Sequence, residues 1–262
     1  MTQTAGAAGQ AATSLDDAAI EALVGAPQRR LEATGVLNLR DVGGYPAAAG
    51  PVPWGRLLRS DALHRIDAAG VARLASIGVR TVVDLRTNVE AEHAPSALGG
   101  LSARREHISL LQGDLASLPA DLPAIYRYLI EDRGPAIAAA IGVLAAPGAL
   151  PALVHCSAGK DRTGIVIALV LDVAGVPDRV IAADYALTAR FLDPDAAAAI
   201  GHLQSSTGLG ESLARPLLGS PPELILDALR RVRAAHGSAE GYLRANGLTT
   251  AQLDGLRAAL AG

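Results

Sequence analysis

The stretch PALVHCSAGKDRTGIVIALVLDVA, residues 151–174, decides the fold that this sequence predicts. Residues 151–155 form a short apolar run that is typical of a buried parallel strand. Residues 163–174 form a longer apolar run, which ends at Gly175 and indicates a buried helix. A loop that joins the end of a strand to the first turn of a helix is therefore predicted at residues 156–162.

This loop holds the only Cys and the only Lys of the 262 residues, which marks it as the site of chemistry. Backbone N–H groups in such a loop point inward, and together with the positive end of the helix dipole they bind a tetrahedral oxyanion. The predicted phosphate-binding residues are Ser157, Ala158, Gly159, Lys160, Asp161 and Arg162.

Four side chains around the loop have predicted roles. Cys156 lies at the base of the cradle, where the same N–H groups stabilise a thiolate and make it a nucleophile at neutral pH. The planar guanidinium of Arg162 clamps two phosphate oxygens. Thr163 donates its hydroxyl to the sulfur and so makes it a better leaving group, and His155 orients the loop by hydrogen bonding to backbone.

These residues resemble a known family. Cys-x5-Arg-Thr after a His is the signature of the protein tyrosine phosphatase superfamily, and HCSAGKDRTG is similar to the loops of bacterial tyrosine/phosphoinositide phosphatases. Lipid phosphatases that carry Lys at the same place are also similar. Further resemblance lies upstream, in residues 38–45, 58–62 and 81–86. The resemblance covers about residues 30–190, while the C-terminal helical region fits more loosely.

The loop has two other interpretations. A nucleotide-binding P-loop needs a Gly where Val154 stands, and Ser or Thr after the Lys where Asp161 stands. A buried core thiol is the usual fate of a free Cys, but it does not explain the Gly, Lys, Asp, Arg and Thr around Cys156. Both interpretations are therefore disfavoured.

Strands alternate with helices elsewhere, which predicts an α/β fold: a central, mostly parallel sheet flanked by helices, with added C-terminal helices. Further strands are predicted at 36–39, 56–59, 79–85 and 104–110. Ligands of such sheets bind outside the carboxyl ends of the strands.

Several charged residues lie at these strand ends, and they either line the pocket or form a structural ion-pair network. Arg59, Asp84 and Arg86 are the predicted supporting residues, with Asp84 and Arg86 favoured for a role behind the pocket. Arg40 and Asp41 follow another strand. Asp184 and Tyr185 are interpreted as packing residues that could face the pocket.

The general acid is less well defined, because no Trp-Pro-Asp loop is present: Trp54 follows Pro53 and precedes Gly55. Asp161 is the carboxyl nearest to the nucleophile in sequence. It either protonates the leaving group or orients Arg162. Asp84 or an acid within 112–121 is the alternative.

Composition agrees with a soluble enzyme, and because no ligand cluster suggests a metal, a metal-independent enzyme without a cofactor is expected. A net charge of −3 argues against nucleic-acid binding, and one Cys excludes an internal disulfide. The sequence shows neither a signal peptide nor an 18-residue apolar span, so a cytoplasmic location is expected, with export by another route left open. Residues 1–14 are expected to be disordered, and residues 15–262 to form one domain with a possible lid at 192–219.

The sequence therefore predicts a cysteine-dependent phosphomonoester hydrolase, foremost a protein tyrosine phosphatase. Its substrate partner would be a phosphorylated protein. A phosphoinositide or inositol phosphate phosphatase is the alternative, and a phosphate-binding pseudophosphatase is the alternative of another class. The sequence gives no oligomeric state.

Overall fold

The computed structural model describes residues 15–112, 121–192 and 220–261. Its centre is a five-stranded sheet in the order β1-β2-β5-β3-β4, in which only β1 is antiparallel to its neighbour. The strands are β1 Arg40–Asp41, β2 Leu57–Ser60, β3 Thr81–Asp84, β4 Arg104–His107 and β5 Ala152–His155. The predicted disorder of 1–14 lies outside the described residues, as does the possible lid except for Leu192.

Ten helices are described in these ranges. They are α1 Asp17–Val24, α2 Ala68–Ile77, α3 Asn88–His93, α4 Leu122–Asp132, α5 Gly134–Ala145, α6 Asp161–Val173, α7 Asp178–Phe191, α8 Pro222–His236, α9 Ala239–Ala245 and α10 Thr250–Leu260. None of these helices is both long and apolar enough to span a membrane.

Side chains of the central strand alternate between two cores, as strand geometry requires. Leu153 packs into the smaller core beside α2, whereas Ala152 and Val154 pack into the larger core with α4 to α10. The larger core encloses α6, in which eleven of the thirteen residues are buried. A helix that is apolar on nearly all sides must be surrounded by protein. This burial holds the start of α6 against the sheet.

The predicted α/β fold is confirmed, but one strand was placed wrongly. Residues 36–39 do not form a strand; the edge strand is Arg40–Asp41. The carboxylate of Asp61 accepts the backbone N–H groups of Leu37 and Asn38, which removes them from sheet pairing.

The register brings the ends of three parallel strands to one level, as expected from the sequence. Ser60 of β2 and Asp84 of β3 both pair with His155 of β5. The loop that follows His155 therefore leaves the middle of the sheet between the loops that follow β2 and β3.

Candidate active site

The loop of residues 156–160 runs from β5 into the N-terminus of α6, where Lys160 occupies the N-cap position. Gly159 adopts a positive φ of 66°, and a Cβ atom there would lie 2.3 Å from the carbonyl oxygen of Ser60. Only glycine combines this conformation with so close an approach of two backbones. The loop after β2 thus shapes the loop after β5.

Two buried side chains bind the outer face of the loop. Asn38 donates its amide to the carbonyl oxygens of Ala158 (2.9 Å) and Gly159 (3.2 Å). Arg59 donates Nη2 to the Gly159 carbonyl at 2.8 Å. Because carbonyls and N–H groups alternate along a tight loop, holding the carbonyls outward leaves the N–H groups for the inner, concave side.

Asp184 holds Arg59, one of the two side chains that bind the loop, in place. Its carboxylate accepts Nη1 of Arg59 at 2.6 Å, Nε of Arg40 at 3.2 Å and the hydroxyl of Tyr45 at 3.0 Å. Burial works to raise the pKa of Asp184, but Arg40 and Arg59 outweigh it and hold the pKa at about 2. The residue therefore does more than pack: it is the buried counter-charge of two arginines, one of which binds the loop.

Arg162 is held by Glu90, a residue that the sequence analysis did not single out. The guanidinium donates Nη1 to Oε2 at 2.6 Å and Nη2 to Oε1 at 2.9 Å, a parallel two-bond pairing. The hydroxyl of Ser157 donates to the same carboxylate. Burial works to raise the pKa of Glu90, but Arg162 outweighs it and lowers the pKa to about 2. Arg162 is consequently fixed before any substrate arrives.

Glu90 reaches this position through a local motif. It is the third residue of α3, and with Thr87 it forms a capping box in which each side chain binds the other's backbone N–H. The pattern Thr-x-x-Glu directly after the end of β3 was a visible helix-start signal. It would have located the helix, though not the partner of its carboxylate.

Cys156 is 2% exposed and lies at the base of the loop. The hydroxyl of Thr163, on the first turn of α6, is buried and has no hydrogen-bond partner among the described residues. A buried hydroxyl without a partner costs free energy, so this group is available to a ligand or to an altered state of the loop.

His155 is buried and neutral at physiological pH, because burial lowers its pKa to about 4. Its Nδ1 lies 3.3 Å from the carbonyl oxygen of Cys156. Asp84 lies beside it, with Oδ2 3.6 Å from the imidazole Nε2. Arg86 donates Nη2 to that Oδ2 at 2.6 Å. Burial works to raise the pKa of Asp84, but the interactions with His155 and Arg86 outweigh it and lower the pKa to about 2. Asp84 and Arg86 thus form an ion pair behind the loop.

Asp161 begins α6 and remains partly exposed, at 24% of its side chain. Its Oδ1 accepts the hydroxyl of Tyr126 at 2.9 Å, and Lys160 Nζ lies 3.8 Å away. The guanidinium of Arg162 is bound to Glu90 rather than to Asp161. Asp41, also considered for the pocket, instead accepts the N–H groups of Gly43 and Gly55 away from the loop.

The buried carboxylates predict a loss of stability in acid. Glu90, Asp84 and Asp184 each have a folded-state pKa of about 2, below the usual values of 4.5 and 3.8. Their stabilisation is present above the unfolded-state pKa and is lost as the pH falls toward 2. We therefore expect the free energy of unfolding, measured by urea titration, to fall between about pH 4 and pH 2.

Asp61 has the opposite effect on the free energy of unfolding, because burial raises its pKa to about 6. Its contribution to stability becomes less favourable as the pH rises from about 4 to about 6.

Glu90→Gln provides the control for the acid dependence, since it removes one titrating group while keeping a similar shape. Its unfolding free energy should be lower at neutral pH and should depend less on pH below 4. An unchanged acid dependence in this variant would contradict the assignment of Glu90.

The described residues contain no group of three or more His, Cys, Asp or Glu side chains that could hold a metal ion. The chemistry that these residues can provide is instead a thiol at the base of an oxyanion cradle and an arginine fixed at its rim. A buried hydroxyl, that of Thr163, and a partly exposed carboxyl, that of Asp161, lie on the first turn of the helix that follows the loop. This arrangement defines the class of phosphate-binding cysteine loops.

Comparisons with known proteins agree with this class. The profile of the "Tyrosine phosphatase family" matches residues 31–262. A tyrosine-protein phosphatase of Nostoc commune is 31% identical over 80% of this chain and 75% of its own length. The triple specificity protein phosphatase PtpB of Mycobacterium tuberculosis is 30% identical over 88% of this chain and 99% of its own. Among solved structures, TpbA of P. aeruginosa aligns over 90% of this chain and 99% of its own with 21% identity and a TM-score of 0.31.

The chain belongs to the tyrosine phosphatase family. It is a phosphoric monoester hydrolase of the protein tyrosine phosphatase class, as the sequence analysis predicted. Membership rests on the profile and on the two relatives of 30% identity or more, because the structural alignment has a low score.

Proposed function

We propose that the chain hydrolyses phosphomonoesters through Cys156 and a phosphocysteine intermediate, with phosphotyrosine in proteins as the principal substrate. The observation that carries the proposal is the fixed arginine. Arg162 is bound on two nitrogens by a buried carboxylate at the mouth of a loop whose carbonyls are turned outward. A preformed cation and preformed N–H donors stabilise charge on transferring phosphoryl oxygens without reorganisation.

The reaction divides into two displacements. In the first, Sγ of Cys156 forms a bond to phosphorus as the bond to the ester oxygen breaks, and that oxygen takes a proton from a carboxylic acid. In the second, water attacks phosphorus, gives its proton to the carboxylate, and the sulfur leaves as thiolate. The unpartnered hydroxyl of Thr163 is suited to stabilise that thiolate.

Asp161 is the best candidate for the acid. Arg162 already has a carboxylate partner in Glu90, so orienting Arg162 is not a role that Asp161 is needed for. Asp84 accepts three hydrogen bonds from the guanidinium of Arg86 and has a pKa of about 2, which makes it a poor proton donor. Of the alternative stretch 112–121, Asp121 caps α4, and Asp114 lies outside the described residues.

Pre-steady-state kinetics with p-nitrophenyl phosphate test the proposal. A burst of p-nitrophenol that is stoichiometric with enzyme, followed by slower turnover, is expected of a covalent intermediate. The burst should persist in a strong chelator. A pseudophosphatase would bind the ester without a burst, and a loss of activity in chelator that added metal restores would contradict the mechanism.

Phosphoinositides are the second candidate substrate. The relative named a triple specificity protein phosphatase suggests that one loop of this family can serve more than one class of phosphoester. In this chain Lys160 places an ammonium group in the loop itself, 3.8 Å from Asp161. Its side chain is fully buried, so its charge would act on a substrate from within the loop wall. A second cation, two residues before Arg162 in the chain, suits a substrate that carries more than one phosphate.

We expect Lys160→Ala to reduce kcat/KM more for a polyphosphorylated inositol lipid than for p-nitrophenyl phosphate, by about tenfold in the ratio. The ratio should recover in Lys160→Arg, which keeps the charge. A panel of phosphotyrosine peptides and phosphoinositides, assayed with the three proteins, gives the measurement. Equal losses on both substrates would show that Lys160 only adds positive potential and would remove the lipid argument.

A further inference from the structure

Two tyrosine hydroxyls converge on Asp161 from two different helices. Tyr126 of α4 and Tyr185 of α7 are both buried, and their hydroxyl oxygens lie 2.8 Å apart. The Tyr126 oxygen is 2.9 Å from Asp161 Oδ1, and the Tyr185 oxygen is 3.4 Å from the same atom. The rings meet edge to face at 89° with centroids 6.4 Å apart. The described residues make no hydrogen bond to the other carboxyl oxygen, Oδ2.

The number of hydrogens in the cluster determines which oxygen of Asp161 accepts a hydrogen bond. Each phenol carries one hydrogen, and burial, followed by the charge of Asp161, raises the pKa of both tyrosines well above the usual value. Both hydroxyls are therefore donors throughout the working pH range. In every arrangement where both donate within the cluster, Oδ1 receives at least one hydrogen. The carbonyl oxygen of a neutral carboxyl accepts hydrogen bonds more strongly than its hydroxyl oxygen, so a donor on Oδ1 favours placing the proton of a neutral Asp161 on Oδ2.

We propose that Tyr126 and Tyr185 are positioning residues that occupy Oδ1 of Asp161 and thereby present Oδ2, with its proton, to the leaving group. The proposal rests on the acid role of Asp161 proposed above. It assigns a catalytic role to a buried polar cluster that the stability of the apolar core does not require. Replacing buried polar groups by apolar ones of the same shape is often neutral for stability.

The surroundings of Asp161 explain why such positioning matters. Lys160 Nζ lies 3.8 Å from Oδ1, Arg162 follows Asp161 in the chain, and the helix dipole adds positive potential at the start of α6. All of these attract the carboxyl group. Two fixed donors on Oδ1 keep the carboxyl from turning toward these cations in place of the substrate.

Tyr185 also has a packing role, so the test must separate ring from hydroxyl. A Cβ atom on Gly164 would lie 2.9 Å from the Tyr185 ring, which therefore packs directly on the first turn of α6. Substitution by Phe keeps each ring and removes only the hydroxyl. Tyr128, on the same helix as Tyr126, supplies a matched control because its hydroxyl faces the carbonyl of Gln112 instead.

The experiment compares Tyr126→Phe, Tyr185→Phe, the double variant and Tyr128→Phe in the full chain. We expect the double variant to lose about 10- to 100-fold in kcat on an alkyl phosphate and less than about threefold on p-nitrophenyl phosphate, whose leaving group hardly needs a proton. The basic limb of its pH–rate profile should move to higher pH, because a carboxylate that loses a donor is a stronger base. Tyr128→Phe should behave as wild type.

The Asp161→Asn background decides between positioning and packing. If the tyrosines act through the acid, adding Tyr126→Phe to Asp161→Asn should cause no further loss. A full further loss there, or equal losses on both leaving groups, would overturn the proposal and leave the tyrosines as packing residues. If Asp161→Asn alone spares alkyl phosphate turnover, the acid role fails and this proposal with it, whereas a normal burst would still support Cys156 chemistry.

Discussion

Cys156→Ser is expected to abolish turnover, with a loss in kcat on the order of 10⁴-fold or more, while phosphate-ester binding survives. The hydroxyl of serine is a far weaker nucleophile than a thiolate in the same loop. The other parts of the cradle stay in place, because Arg162 is fixed by Glu90 and the loop carbonyls by Asn38 and Arg59. Turnover of p-nitrophenyl phosphate and binding of a phosphotyrosine peptide by calorimetry give the two measurements.

Arg162→Lys is the matched control for binding. It keeps a positive charge but cannot pair with Glu90 and a phosphate at the same time, since lysine lacks the planar fork. This variant should therefore lose both binding and turnover, whereas Cys156→Ser loses turnover alone. Appreciable turnover by Cys156→Ser, or loss of binding equal to that of Arg162→Lys, would contradict a nucleophilic role for Cys156.

The sequence predicted the parts of the site that lie close together in the chain. The strand, the loop and the helix around Cys156 are a local pattern, because an apolar run, a glycine and a second apolar run each have their own signature. Strand ends at Ser60 and Asp84 also followed from parallel pairing, which aligns the carboxyl ends of neighbouring strands.

The partners of that loop could not be predicted, because they are distant in sequence and their patterns are ambiguous. Glu90 lies 72 residues before Arg162, and its capping motif explains its backbone contacts but not its ion pair. Tyr126 lies 35 residues before Asp161 on a helix whose apolar face would accept any large side chain. Asp184 was interpreted as a packing residue, because the sequence of an amphipathic helix does not reveal whether one of its charged side chains faces two arginines.

Asp61 illustrates how one side chain displaced a predicted strand. The mostly apolar residues 36–39 were interpreted as a strand, yet the N–H groups of Leu37 and Asn38 bind a buried carboxylate. That binding places Asn38 over the carbonyls of Ala158 and Gly159. The failure of the strand prediction is therefore part of how the loop is supported: backbone that would have paired with a neighbouring strand instead carries a side chain that shapes the site.

Asp161→Asn is expected to lower kcat on an alkyl phosphate by about 10²–10⁴-fold, because the amide has no acidic proton to give to the leaving oxygen. The fold should tolerate the change, since the amide oxygen can still accept the hydroxyl of Tyr126. The loss should be much smaller for p-nitrophenyl phosphate. The basic limb of the pH–rate profile, which reports loss of the acid's proton, should flatten.

Asp84→Asn separates this prediction from its alternative. Asp84 is bound to Arg86 and lies behind the loop, so its replacement should lower the free energy of unfolding and reduce both substrates' turnover alike. Only the true acid changes the dependence of kcat on the leaving group. If Asp161→Asn slows both esters equally while Asp84→Asn affects the alkyl ester selectively, the proton comes from Asp84, and Asp161 serves only to hold the first turn of α6 against Tyr126.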